Sequence, residues 1–227
     1  MSSDGPARLA SHRVHDALRA EIVAGTLAPG DRVPSERALA QRLGVNRQAV
    51  REALKRLEQA GLVRITHGGP TRVLDWREAS GLDLLVDLAR DGGDIGDEDL
   101  GRSVIELRAV VGIDAARRCA TRADDATLAR IAERAEAAAA LVGGDVAALE
   151  DAYAAMWRRV VEGSGNVAYR LAFNSLMGSL PHQPALAEAM RPGDADAIRR
   201  FGAAMRARDA AAAIREATAL LEAPLDD

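Results

Sequence analysis

Apolar residues recur every three or four positions along most of this chain, and strand-like runs are confined to one short stretch. Val14, Leu18 and Ile22 are spaced by four, which predicts an amphipathic helix over 8–25. Ala28-Pro29-Gly30-Asp31 reads as a turn. Leu39 and Leu43 form the inward stripe of a short second helix. Ser35 suits its N-cap, Glu36 its first turn and Gly44 a left-handed stop. Asn46 then caps a third helix in which Val50, Leu54 and Leu57 face inward. Arg47, Gln48 and Arg51 project outward, and the two arginines, four apart, share one face. Leu62, Val63 and Ile65 read as a strand, His67-Gly68-Gly69-Pro70 as a tight turn, and Thr71–Leu74 as the return strand. A helix-turn-helix followed by a two-stranded wing is therefore expected within residues 8–76.

Beyond Leu74 the strand signal vanishes. Helices are expected at about 77–90, 97–121, 124–143, 145–164, 165–180, 193–207 and 209–223, divided by glycine- and proline-bearing breaks such as Gly143-Gly144, Gly163-Ser164-Gly165 and Pro181–Pro184. Alanine runs at 137–140 and 210–213 favour close helix packing. The predicted fold class is mainly α: an N-terminal winged helix-turn-helix with a small β-wing, then a C-terminal all-α bundle over 77–227.

Charge changes the picture. Residues 1–76 carry 12 Lys/Arg against 8 Asp/Glu, whereas residues 77–227 carry 18 against 26, and the 227-residue chain totals −4. Only the first part matches a polyanion. A helix opening with Asn46, Arg47, Gln48 and Arg51 has the donors needed to enter a DNA major groove and reach guanine edges. His67, beside two glycines, is either a wing-tip contact to phosphates or the minor groove, or part of a plain surface turn. The lone Cys119 excludes an internal disulfide and fits a reducing cytoplasm. No apolar run approaches the ~20 residues of a membrane span, so a soluble cytoplasmic protein without a membrane partner is expected. No Gly-x-Ser-x-Gly elbow, phosphate loop or CxxC occurs, which argues against an enzyme.

The segments Leu27–Asp31, Pro34–Arg37, Val45–Arg47, Val50–Leu54 and Leu57 together resemble the winged helix of GntR-family repressors. His67–Val73, Ser80–Leu82, Leu88–Arg90, Ser164–Asn166, Tyr169 and Phe173–Met177 look more narrowly like the acyl-CoA-responsive FadR branch of that family. The resemblance implies that Arg37, Arg47 and Arg51 contact double-stranded operator DNA, with Ser35, Asn46 and Gln48 beside them and His67 and Gly68 entering the minor groove. It implies a homodimer and a small-molecule or lipid effector, with no cofactor. Many relatives hold a metal in the helical domain. Their ligand positions fall here on Tyr153, Trp157 and near Ile198 and Leu220, none of which is a strong ligand for a divalent ion, so no metal is expected.

In that register an effector cavity would be lined by Tyr153, Trp157, Tyr169, Phe173, Asn174, Met177 and Leu220. Four of the chain's six aromatics fall within 153–173, and they either line such a cavity or fill the bundle core. Arg108 is either the cation for an anionic ligand head or a structural partner of Glu106 or another acid. The reading is a transcription regulator of fatty-acid metabolism genes, released from operator DNA by long-chain fatty acyl-CoA. The alternative is a metal-free repressor sensing a small organic acid.

Overall fold

The computed structural model describes residues 5–66, 68–84, 98–180 and 184–222, which group into two compact units, Met1–Asp87 and Leu88–Asp227. In the first unit, α1 (Gly5–Val23) packs on α3 (Arg47–Gln59), with α2 (Glu36–Leu43) between them in sequence. Val14, Leu18 and Ile22 of α1 are buried, as are Val50, Ala53, Leu54 and Leu57 of α3. These positions repeat at three and four, so each helix presents one apolar stripe. The Ser35 hydroxyl accepts from the Ala38 N–H at 3.2 Å, and Asn46 Oδ1 accepts from the Ala49 N–H at 2.8 Å. Both expected caps are thus formed. Gly44 ends α2 at φ 63°, a left-handed conformation that a side chain would strain.

The wing is small. Strands β1 (Val63–Arg64) and β2 (Arg72–Val73) pair antiparallel, Val63 opposite Val73 and Arg64 opposite Arg72. The stretch before α2 joins them: the Val33 N–H donates to Thr71 O and the Val73 N–H to Asp31 O. Leu62, Val63, Val73 and Val33 bury their side chains, while Arg32, Arg64 and Arg72 stay exposed. The helix expected over 77–90 is not continuous. α4 covers only Trp76–Ala79, because Ser80 turns extended (φ −94°, ψ 159°) and its hydroxyl donates to Ala60 O at 2.7 Å. Residues 85–90 of that expected helix lie outside the described residues.

The second unit is a bundle of α5 (Glu98–Arg122), α6 (Asp125–Ala139), α7 (Val146–Gly163), α8 (Val167–Ser179), α9 (Pro184–Ala189), α10 (Ala195–Arg206) and α11 (Ala210–Leu221). Six follow the expected segments within a few residues. The short α9 was not expected, since six residues after a proline-bearing break carry too little periodicity to read. Helix α10 packs closely on α6, and α11 on α5. A Cβ at Gly202 of α10 would lie 2.7 Å from the Ala135 Cβ of α6, so glycine permits that approach. Trp157, Phe201, Ile198, Met156 and Met205 supply the bulk of a core otherwise rich in alanine. Among the described residues no helix is long and apolar enough to cross a membrane.

His15 sits buried in α1, its Nδ1 at 2.9 Å from Asp16 Oδ1. Burial lowers its pKa, aided by the charges of Arg56 and Arg19, and outweighs the bond to Asp16. The imidazole is therefore neutral in the fold, and gains its proton on unfolding once pH falls below about 6.5. Stability is fully present above that value and declines as pH falls toward the depressed folded value. Thermal melting of wild type should lose stability between about pH 7 and 5 more steeply than His15→Leu; equal slopes would remove His15 as the cause.

Candidate DNA-reading face and effector site

The first turn of α3 carries the candidate DNA contacts, and its placement follows from burial. With Val50, Leu54 and Leu57 turned inward, Gln48 and Arg51 are left exposed on the other side, and Arg47 is exposed in the first turn, where no preceding turn covers it. Arg37 is exposed on α2. Ser35 and Asn46 are exposed residues whose side chains serve as helix caps. Gly68 is exposed with φ 75°, and His67 lies outside the described residues.

One partner on this face, Glu36, is not legible from local spacing. Arg51 Nε donates to both carboxylate oxygens of Glu36, at 3.0 and 2.9 Å, and Arg47 Nη2 donates to Glu36 Oε2 at 3.4 Å. Gln48 donates to Glu52 Oε1 at 3.2 Å, and Lys55 lies 3.4 Å from the same atom. Glu36 had a local reason to exist as a first-turn acid, which hid its reach across to α3.

In the bundle, α7 places Tyr153 and Trp157 one turn apart on its buried side. Their rings meet edge-on at 6.2 Å, and Trp157 lies against Phe201 at 5.2 Å. The Tyr153 hydroxyl and Trp157 Nε1 are buried donors without a hydrogen-bond partner among the described residues. Such atoms are uncommon in folded proteins and call for an explanation. Arg108 lies close enough to Tyr153 for each to act on the other's ionisation. Burial lowers the Arg108 pKa and raises that of Tyr153, the Arg108 charge opposing the latter. No ion pair of Arg108 with Glu106 or another acid occurs among the described residues. Its Nη2 donates instead to the Met190 carbonyl at 3.3 Å, just beyond α9. Arg191, the next residue, is tied to Glu150 of α7 at 3.0–3.1 Å.

The remaining expected lining residues divide. Phe173 and Leu220 are partly buried against the core, Met177 is half-buried, and Asn174 is exposed, so Asn174 stands apart from the buried donors. Tyr169 packs against the core, but its hydroxyl donates to Asp114 Oδ2 at 2.7 Å. Asp114 also accepts from Arg117 and Arg118. It lies six residues along α5 from Arg108, about 9 Å further and roughly 120° round the helix. Desolvation pushes the Asp114 carboxyl up, but bonds from Arg118, Tyr169 and Arg117 outweigh it and hold the group well below the usual carboxylate range. The Tyr169 hydroxyl is thus spent on joining α8 to α5 rather than offered beside Tyr153.

Where metal-binding relatives hold ligands, Tyr153, Trp157 and Ile198 are buried and Leu220 partly so. No group of three His, Cys, Asp or Glu suited to a metal occurs among the described residues. Cys119 is buried, and burial pushes its thiol up to about 12.

Residues 10–73 match the family model of bacterial regulatory proteins, gntR family, and residues 103–223 match the FCD domain. The chain is 33% identical to the HTH-type transcriptional regulator Mce2R of Mycobacterium tuberculosis, across 95% of this chain and 90% of that protein. It is also 33% identical to the fatty acid metabolism regulator protein of Edwardsiella ictaluri, across 66% of this chain and 60% of the relative. The solved structure of Lar, which controls the expression of the Listeria monocytogenes agr system, aligns with a TM-score of 0.52 at 18% identity. It covers 93% of this chain and 92% of Lar, a likeness of fold.

Tyr169→Phe should weaken the helical bundle by about 1 kcal/mol through loss of the bond to Asp114, read by urea denaturation. An unchanged midpoint would show that the two arginines alone satisfy the carboxylate.

Proposed function

The chain belongs to the GntR family of bacterial regulatory proteins, with an FCD effector-binding domain as its second half, and on that premise we propose how it reads DNA and what it senses. It acts as a cytoplasmic homodimer, without catalytic activity, on double-stranded operator DNA. The DNA-reading domain takes residues 8–76, and the connector that follows packs back on it through Ser80 before the effector domain begins. Arg47 and Arg51 reach base edges in the major groove, Arg37 and Gln48 support them, and His67 and Gly68 enter the adjacent minor groove. Ser35 and Asn46 hold the two helices at the register this needs. A second copy reads the other half of a palindrome, which gains affinity through avidity.

The observation that carries the effector reading is the set of donors inside the bundle. Arg108 acts on the Tyr153 hydroxyl, Trp157 Nε1 lies beside that hydroxyl, and neither of the last two makes a well-formed hydrogen bond among the described residues. Donors that outnumber the acceptors around them suit an anionic or strongly polarised oxygen. We assign that oxygen to a long-chain fatty acyl-CoA, whose carbonyl or phosphate approaches Arg108 while its chain runs along Trp157, Phe173 and Met177, with Tyr169 and Leu220 at the margin. The resemblance at the wing, and the relatives named as fatty acid metabolism regulators, support this choice. Burying ~10 methylenes contributes about 8 kcal/mol gross, much of it offset by ordering the chain. Micromolar binding, near −8 kcal/mol, therefore needs the polar head contacts.

The effector oxygen would displace the Met190 carbonyl from Arg108 and loosen the α9 segment that Arg191 ties to α7. Binding then favours an arrangement with lower operator affinity, a shift limited by the effector's differential affinity for the two states. A second reading, a small organic acid bound without metal, is favoured by the close packing of Trp157 against Phe201 at 5.2 Å, which suits a short ligand.

Arg47→Ala and Arg51→Ala should each cost roughly 1–3 kcal/mol of operator binding in a gel shift; values within twofold of wild type for both would refute base reading.

Long-chain acyl-CoA should raise the melting temperature and release the operator, and Trp157→Ala should blunt that response while DNA binding holds. If acyl-CoAs of every chain length fail where short carboxylic acids succeed, the small-acid reading replaces the lipid one.

A further inference from the structure

We propose that Glu36 is a specificity-determining residue of DNA recognition. It positions Arg51 and Arg47 for base edges and opposes attachment to the phosphate backbone alone. The inference rests on the reading of those two arginines as base contacts. Its starting point is geometric. Both oxygens of Glu36 accept from Arg51 Nε, at 3.0 and 2.9 Å, and Oε2 also accepts from Arg47 Nη2 at 3.4 Å. Glu36 comes from a different helix, 15 residues before Arg51. Its backbone is held by the Ser35 cap at one end of α2 and by the Gly44 turn at the other.

A guanidinium is a planar fork with donors on more than one edge. Glu36 engages the Nε of Arg51, and the two terminal nitrogens make no hydrogen bond among the described residues. Those terminal nitrogens are a pair that meets guanine O6 and N7. An arginine held by one edge loses less rotamer freedom when its other edge binds, so the contact is pre-organised. Arg51 and Arg47 remain half or more exposed, with side-chain exposures of 53% and 62%, so the pairing leaves them accessible.

The charge has a second consequence. A carboxylate beside two arginines offsets part of the positive potential that attracts phosphates without regard to sequence. Correct bases recover the loss through directed hydrogen bonds, and a phosphate-only encounter does not. Glu36 therefore widens the gap between specific and non-specific binding rather than strengthening both. A role confined to the helix N-terminus, where acids are favourable, would change stability and leave that gap as it was.

The test uses the full chain and an operator selected from a random duplex library by wild-type protein, against a scrambled duplex of equal length, in fluorescence anisotropy over a NaCl series. Glu36→Gln should bind the scrambled duplex several-fold more tightly, with a steeper salt slope. Its operator-over-scrambled ratio should fall about tenfold or more. Glu36→Asp keeps the charge but shortens its reach, so scrambled binding should stay weak while the ratio still falls. If Arg51→Ala loses the ratio but both Glu36 variants keep it within twofold, the inference is overturned and base reading survives. If Arg47→Ala and Arg51→Ala weaken both duplexes alike, base reading falls and this inference with it. Should the Gln variant fail to fold, the Asp variant decides, an unchanged ratio overturning the proposal.

Discussion

Burial of one stripe of α3 against α1 governs the whole DNA-reading unit. Val50, Ala53, Leu54 and Leu57 lie against the core that Val14, Leu18 and Ile22 provide. Each fully buried leucine or valine contributes about 1.5–3 kcal/mol relative to exposure, so rotating α3 to another face would cost far more than surface contacts could return. At 100° per residue, that burial turns positions 48 and 51 outward, while Arg47, only about 20° round from Leu54, is exposed because it opens the helix and no earlier turn covers it. The Gly44 turn then brings the α2 N-terminus within reach, which is how Glu36 comes to lie between two arginines. The wing depends on the same core, because Leu62, Val63 and Val73 bury there while their neighbours Arg64 and Arg72 stay in solvent.

The helical unit is organised differently. Alanine and glycine let α6, α10, α5 and α11 approach closely, and arginines tie the helix ends. Arg122 donates to Ser164 O, Arg208 bonds Asp125, and Arg199 and Arg200 reach Glu136 and Glu216. Exposed pairs of this kind are worth little individually. Asp114 is the densest such node, joining two arginines of its own helix to Tyr169 of α8.

Inside that packing, the Tyr153 hydroxyl and Trp157 Nε1 make no well-formed hydrogen bond among the described residues, and a buried polar group left unsatisfied costs about 1–3 kcal/mol. Arg108 and the Met190 carbonyl frame the same region. A core built only for stability would replace these donors by apolar atoms of equal volume. These donors are the observation on which the proposed effector reading rests.

What the sequence alone determined is what local physics controls. Ser35, Asn46 and Gly44 each act on the backbone within a few residues, so the helix-turn-helix and its caps were readable, as were six bundle helices from their periodicity. The outward set on α3 followed because a helix has one angular repeat. Contacts that close long loops were not readable. Glu36 meets Arg51 across 15 residues, Ser80 breaks the expected 77–90 helix by bonding Ala60 across 20, Tyr169 meets Asp114 across 55 and Arg108 meets Met190 across 82. Arginines and acids are abundant in this chain, and spacing cannot say which acid a given arginine will find. Only the packing of apolar faces, which brings distant helices together at fixed angles, decided that Tyr169 would join Asp114 and that Tyr153 and Trp157 would share a buried region with Arg108.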